Sequence, residues 1–268
     1  MNTIKKSVKK IAGKFGLEVN RLSAGDADKA TKPVRLEGDL GYYENALGNF
    51  YLPLDAPNDV IINPMKEGRV FEPEVVEVAE RFIKKGSVVL DVGANFGQMS
   101  LLFSRLTGDS GTVYSFEAQK KVFGILEKNV AANNAHNIKP IFNAVYFESD
   151  KTFYFPEPDF VRFGAYGSYN LPLDAMAGQK VKSLKIDDLK IEKPVSFMKV
   201  DVQGCDLFAM QGAVETIKKH EMPILFEFEQ RFQNEYKTDF QDYVDFVDSI
   251  GYKFTEIILD INYLIEPK

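Results

Sequence analysis

Cysteine is almost absent from this chain. Its single cysteine, Cys205, excludes an intramolecular disulfide and is consistent with a reducing compartment. Tryptophan is missing and only two histidines are present, so a histidine-based metal site is not expected. No apolar run approaches the roughly 18 residues that cross a bilayer, and no secretory leader pattern is visible. Basic residues are outnumbered, 33 against 39 acidic, and the net charge of −6 argues against a general nucleic-acid binder. There is no internal repeat and no low-complexity segment. What remains is ordinary for a globular protein: 268 residues, 45% hydrophobic and 27% charged. That is enough for one large domain, or one domain with a small cap.

The most informative stretch is Val88 to Gly97, Val-Val-Leu-Asp-Val-Gly-Ala-Asn-Phe-Gly. A short β-branched run predicts a buried parallel strand. Gly93 and Gly97 follow, and Met99 to Leu106 has helical periodicity. Strand, glycine turn and helix open a nucleotide-type α/β fold. Gly93 permits a tight turn and leaves no Cβ between backbone and ligand. The helix start offers unpaired N–H groups.

Two details separate this loop from a dinucleotide site. The middle glycine of Gly-x-Gly-x-x-Gly is Asn95, so one close backbone approach to phosphate is lost. Asp91 lies two residues before the first glycine, where a carboxylate repels a pyrophosphate but suits an ammonium or another cation, directly or through water. Asp-x-Gly-x-x-x-Gly therefore fits S-adenosylmethionine (SAM), with its ammonium, carboxylate and sulfonium. A second strand, Gly111 to Glu117, stops at an acid 24 residues after Gly93. That is about where a strand-2 carboxylate accepts from ribose hydroxyls.

Three segments follow from the order of signals. Residues 1–30 are a basic amphipathic segment and linker: Ile4, Val8, Ile11 and Phe15 recur at helical spacing opposite lysines, although Gly13 and Gly16 weaken the helix. Such a face suits an anionic membrane surface or a partner. Residues 31–85 are a cap of short strands, among them Val60 to Pro64, ending in a helix that begins at Phe71-Glu-Pro-Glu74 with Pro73 in the first turn. Residues 86–268 hold the ligand-binding domain. In it, Gln119 to Asn134 is a second helix and Ile138 to Val145 a third strand, with Asn143 and Ala144 at the height of an adenine ring. Lys151 to Gly178 is aromatic-rich and reads as a hairpin with a substrate-side loop, or as a surface hairpin whose aromatics complete the core. Pro194 to Val202 is a strand, Asp206 to His220 a helix, Met222 to Phe228 a strand and Asp239 to Ile250 a helix. Gly251 to Ile265 is an antiparallel hairpin.

With these pieces placed, the chain resembles the FkbM-type family of class I SAM-dependent methyltransferases. The likeness runs from about Phe71 to Phe228. It rests on Phe-Glu-Pro-Glu, Val-Leu-Asp-Val-Gly-Ala-Asn-Phe-Gly, Val-Tyr-Ser-Phe-Glu-Ala, Leu-Lys-Ile-Asp-Asp-Leu189, Lys-Val-Asp-Val-Gln-Gly-Cys-Asp and Met210-Gln-Gly-Ala213. The resemblance implies a Rossmann-like α/β fold with a seven-stranded sheet whose last strand is antiparallel. It also implies O-methylation of a sugar hydroxyl in a polysaccharide, glycolipid or glycosylated metabolite. Two positions depart from the family pattern: Gln203 stands for the usual glutamate and Ala118 for the usual proline.

Methyl transfer from a sulfonium is an in-line displacement that needs the acceptor oxygen aligned and its proton handled. Asp201, at a strand end, is the first candidate base; its bland alternative is to cap the Gly204–Asp206 turn. Glu227 is the second, pointing opposite to Phe226 and Phe228, into the cleft or out to solvent. Lys199 alternates with Asp201 and is placed to pair with it. The expected cofactor contacts are Glu72, Asp91, Gly93, Ala94, Asn95, Gly97, Glu117, Ala118, Asn143 and Ala144. Asp201, Asp206 and Glu227 have the chemistry to hold Mg²⁺, but no tight ligand motif is present and no metal is expected. His136 and His220 read as helix-end dipole partners and Cys205 as a small buried residue. Two other functions stay open: an NAD-dependent oxidoreductase on the same βαβ start, and a non-catalytic SAM-binding or scaffold protein. The expected location is the cytoplasm, with residues 1–22 touching the inner membrane face if the acceptor is lipid-linked.

Overall fold

The computed structural model describes residues 32–56, 59–155 and 166–268. The basic segment 1–22 and much of the aromatic loop lie outside those residues. In chain order the strands are β1 (Arg35–Glu37), β2 (Leu40–Asn45), β3 (Gly48–Pro53), β4 (Val88–Val92), β5 (Thr112–Glu117), β6 (Ile138–Phe142), β7 (Ala144–Val145), β8 (Thr152–Phe155), β9 (Gln179–Leu184), β10 (Val195–Val200), β11 (Ile224–Glu227), β12 (Tyr252–Ile258) and β13 (Asn262–Pro267). The helices are α1 (Ile62–Lys66), α2 (Pro73–Phe82), α3 (Gln98–Thr107), α4 (Lys120–Ala132), α5 (Asp206–Gln211), α6 (Val214–His220), α7 (Gln230–Tyr236) and α8 (Phe240–Ser249).

Seven strands form the main sheet in the order β12-β13-β11-β10-β4-β5-β6. The β4, β5, β6, β10 and β11 pairings are parallel, and β13 runs antiparallel to both neighbours. The chain leaves β4 toward β5 and β6 on one side, and later fills β10 and β11 on the other. The crevice above the carboxyl ends of β4 and β10 is therefore the switch point where α/β ligands bind.

Alternation along the strands sorts the core into two layers. Val89, Val113, Phe197 and Leu225 face α2, α3, α4 and the cap, packing with Phe50, Leu52, Val75 and Phe103. Leu90, Val92, Met198, Val200 and Phe226 face α5, α6 and α8, with Leu207, Ile217 and Tyr243. The cap, β1-β2-β3, is antiparallel and shares the first layer. The outer edge of β3 is satisfied by asparagines of α4 and of its C-cap. Asn129 accepts from Tyr51 N at 2.6 Å, and Asn133 accepts from Asn49 N at 2.9 Å.

Several boundaries differ from the sequence expectation. Val60 to Pro64 is not a strand: Asp59 Oδ1 accepts from Ile61 N and Ile62 N at 2.7 and 2.8 Å and starts α1. The third strand breaks at Asn143, and Ala144–Val145 leaves the main sheet to pair with Ser183–Leu184. The long helix after β10 is two. At Gly212 a Cβ would lie 2.2 Å from Tyr146 O, and α6 restarts with Asp187 accepting from Glu215 N and Thr216 N. Between β11 and α8 the structure adds helix α7, with Phe232 and Tyr236 buried, where the sequence pattern predicts no element.

Candidate functional site

A cavity of about 310 Å³ opens above β4, β5, β10 and β11, at the low end of the roughly 300–1,000 Å³ of small-molecule sites. Register explains which side chains reach it. In one row across the sheet, Ser115, Asp91, Lys199 and Leu225 are neighbours. Two residues further along each strand come Glu117, Gly93, Asp201 and Glu227, and all four line the cavity.

Asp91 therefore sits beneath the cavity rather than on its wall. Its Oδ2 accepts from Ser100 Oγ at 2.5 Å, and Ser100 meets Ser115 at 2.7 Å. The Oδ1 has no hydrogen-bond partner. Burial pushes the Asp91 carboxyl up, while the Lys199 charge and the Ser100 hydroxyl pull it down. Of the two modes the sequence offers Asp91, direct contact or action through water, its place off the cavity wall does not favour the direct one, and its carboxyl braces the loop to α3 through Ser100. Ala94 and Gly97 are likewise absent from the cavity wall. Ala94 is buried, its N–H donating to Phe116 O at 2.9 Å, and Gly97 begins α3 against Leu126.

Gly93 is the tight point. Its φ is +84°, and a Cβ there would lie 1.8 Å from the carbonyl oxygen of Asp201. Only glycine lets the β4 and β10 turns touch. Asn95 also adopts a left-handed φ of +50°. Its N–H donates to Glu117 Oε2 at 3.0 Å, and Gln119 N donates to Oε1 at 2.8 Å. Each oxygen keeps a lone pair for a further donor. Burial raises the Glu117 carboxyl to about 7, with the backbone N–H groups of Gln119, Asn95 and Ala118 opposing it. Ala118, Asn143 and Ala144 complete this end of the wall. Asn143 is held by its Nδ2 donating to Lys182 O at 2.9 Å. Gln119, at the α4 N-cap, was missed as a site residue; its buried Oε1 and that of Asn95 (Oδ1) have no partner.

The opposite end is rich in carboxyls. Lys199 Nζ donates to Asp201 Oδ2 at 2.9 Å. Gln203, at φ +52°, donates its Nε2 to both Asp201 Oδ1 and Glu227 Oε2, each at 3.0 Å. Burial works to raise the Asp201 carboxyl, but the Lys199 charge and the hydrogen bonds outweigh it and hold Asp201 below the usual range. Burial and then the Asp201 charge push Glu227 up to about 10. Glu227 is thus a buried cavity acid, not a solvated edge residue. The Gly204–Asp206 turn is capped by Asp206, which accepts from Val202 N and Gly204 N, leaving Asp201 free of that duty. Glu72 sits at the left-handed N-cap of α2 and faces the cavity; burial, then Asp201, raises it to about 7. Gln98 anchors this entrance, accepting from Phe71 N at 2.8 Å.

Tyr166, Tyr169 and Leu171 roof the cavity. Tyr166 is tied to the cap by its N–H to Asp59 Oδ2 at 2.7 Å and its Oη to Asp55 at 2.6 Å. Cys205 is buried, its thiol raised to about 12 by burial. Among the described residues no cluster of three metal-type ligands occurs, and no helix is long and apolar enough to cross a membrane.

The donor set fits SAM. A bare backbone turn at Gly93 gives room for a close-packed chain, Glu117 offers acceptors for a diol, and the acidic end suits a cation. Residues 91–254, more than half of the chain, match the family model of the methyltransferase FkbM domain. No curated protein matches the chain. Solved structures similar to it include methyltransferase FkbM from Methylobacillus flagellatus KT, at 15% identity and a TM-score of 0.45, covering 77% of this chain and 52% of that one. Another is M. jannaschii TYW2 in complex with AdoMet, at 12% identity and a TM-score of 0.46, covering 88% and 90%. A third is precorrin-6y C5,15-methyltransferase from Geobacter metallireducens GS-15, at 15% and 0.44, covering 73% and 88%.

Proposed function

This chain belongs to the FkbM methyltransferase family and is a SAM-dependent methyltransferase, and we propose that its acceptor is a hydroxyl, on a sugar of a polysaccharide, glycolipid or glycosylated metabolite. Family membership sets the oxidoreductase alternative aside. When bound, the cofactor supplies an electrophilic methyl on a positively charged sulfur. In this reading the Gly93 turn and Glu72 hold the methionine end, Glu117 accepts from the ribose hydroxyls, and Asn143 and Ala144 border the adenine. Ala118 and Asn95 complete the wall.

The observation that supports a hydroxyl acceptor is the carboxyl pair at the far end of the cavity. Asp201 and Glu227 sit on the wall, bridged by Gln203, with Asp201 held below the usual carboxylate range by Lys199 and Glu227 pushed up by burial and the Asp201 charge. A weakly acidic hydroxyl needs such a proton partner. The sugar class comes from the family resemblance. The same reading puts the enzyme in the cytoplasm, with residues 1–22 at the inner membrane face beside a lipid-linked acceptor.

The test is a screen for S-adenosylhomocysteine (SAH) release against nucleotide sugars, lipid-linked glycans and glycosylated metabolites. Turnover with a hydroxyl acceptor, lost in Asp201→Asn and Glu227→Gln, supports the reading. Methylation of a nitrogen or carbon instead would refute it. Deleting residues 1–22 is expected to abolish binding to anionic vesicles; unchanged vesicle binding would remove the membrane part.

A further inference from the structure

Two buried carboxyls held within hydrogen-bond reach of one amide nitrogen are close enough to repel each other when both are ionised. Gln203 Nε2 lies 3.0 Å from an oxygen of each of Asp201 and Glu227, and repulsion between the two charges is relieved by one proton. Lys199 decides where the proton sits. Its ammonium is 2.9 Å from Asp201, so Asp201 stays charged and Glu227 carries the proton. The surroundings reinforce this. Glu72 faces the cavity from the start of α2, and Asp206 lies at the start of α5. Glu229 and Arg231 come from the start of α7, and Asp91 stands beside Lys199 on β4. The two cations here are already engaged, Lys199 with Asp201 and Arg231 with Glu229 at 2.7 Å. A cation entering this cavity meets an excess of carboxyls.

We propose that the Asp201–Gln203–Glu227 bridge stores one exchangeable proton on Glu227, which leaves when the positively charged cofactor binds and is replaced by the acceptor's hydroxyl proton as that charge is lost. This deepens the reading above and rests on it. Burial and the neighbouring acids, which place Glu227 near 10, agree with a proton held at neutral pH. The bookkeeping closes. In the transfer a C–O bond forms, the C–S bond breaks with its electron pair left on sulfur, and the hydroxyl proton goes to the Glu227 carboxylate. The neutral product then leaves a protonated bridge behind, ready for the next cation. Gln203 is the positioning residue: the two N–H groups of its amide hold one carboxyl each, a bridge that a glutamate carboxylate, without N–H, does not make.

The test is calorimetric titration of the full chain with SAM and with SAH at pH 8, in buffers of low and high ionisation heat. At pH 8 Glu72, near 7, is already mostly ionised, whereas Glu227, near 10, is not. SAM is expected to release about one proton more than SAH, and the SAM affinity relative to SAH to rise about tenfold per pH unit between 7.5 and 8.5. Glu227→Gln is expected to abolish both differences while still binding SAH. Equal proton counts for the two ligands in the wild type would overturn the proposal, whatever the variant does. A variant that keeps the excess release would also overturn it. Failure of the folded wild type to bind either ligand would overturn the cofactor reading itself.

Discussion

Replacing Gly93 with alanine tests the geometry of the site most directly. The added Cβ would lie 1.8 Å from Asp201 O and 2.8 Å from its carbonyl carbon. Neither atom is a flexible side-chain end, so the β4 and β10 turns must separate by more than 1 Å. The left-handed φ of +84° adds roughly 1–2 kcal/mol for an L-residue, and overpacking adds about 1–3 kcal/mol. The expected destabilisation is about 2–5 kcal/mol. The displaced turn carries both Gly93 and Asp201, so the loss falls on ligand binding too. At 1.4 kcal/mol per decade, about 2–3 kcal/mol of displacement weakens SAH binding roughly 30–150-fold. Gly97→Ala is the control. Its φ is also left-handed, but its Cβ would meet Leu126 Cδ1 at 2.6 Å, a side-chain end that can move, and Gly97 is off the cavity wall. Urea unfolding and SAH calorimetry on both variants are the assays. If Gly93→Ala binds SAH within threefold of wild type, or if Gly97→Ala binds worse than Gly93→Ala, the assignment of the cavity floor is refuted.

Three further outcomes follow from the same interactions. Lys199→Met strands the Asp201 charge in a buried site and is expected to cost roughly 3–5 kcal/mol at pH 7. The deficit should shrink in acid as Asp201 protonates, and a pH-independent deficit in urea titrations would contradict the pairing. Asp206 is raised to about 7 by burial, then by Asp201, so its contribution is present below the unfolded carboxyl range and is lost as pH rises toward 7. Asp206→Asn should therefore be more damaging, relative to wild type, at pH 5 than at pH 7.5, and the reverse order would refute the shift. Tyr166→Phe removes the hydroxyl that donates to Asp55 and accepts from Lys121. A loss of about 1–3 kcal/mol is expected, and a change under 0.5 kcal/mol would show that the bond does not tie the roof to the cap.

The sequence alone determined the parts governed by local chemistry. The β-branched run before Gly93, the acid after Phe116 and the Lys-x-Asp alternation each follow from short-range rules of period two, turn and helix start. The strands β4, β5, β10 and β11 and the wall residues Gly93, Asn95, Glu117, Asp201 and Glu227 were legible for that reason. Tertiary structure decided what depends on partners distant in the chain. Asp91 turned away from the cavity because its row is covered by α3, where Ser100 waits. Strand β7 left the main sheet because β9, some forty residues later, offers it an edge. Val60 to Pro64 coiled because Asp59 satisfied the first N–H groups of a helix while holding Tyr166 N with its other oxygen. The raised Glu227 carboxyl belongs to this second class. A carboxyl's charge depends on what the fold brings beside it, and here that is a buried lysine two residues from its partner and one shared amide.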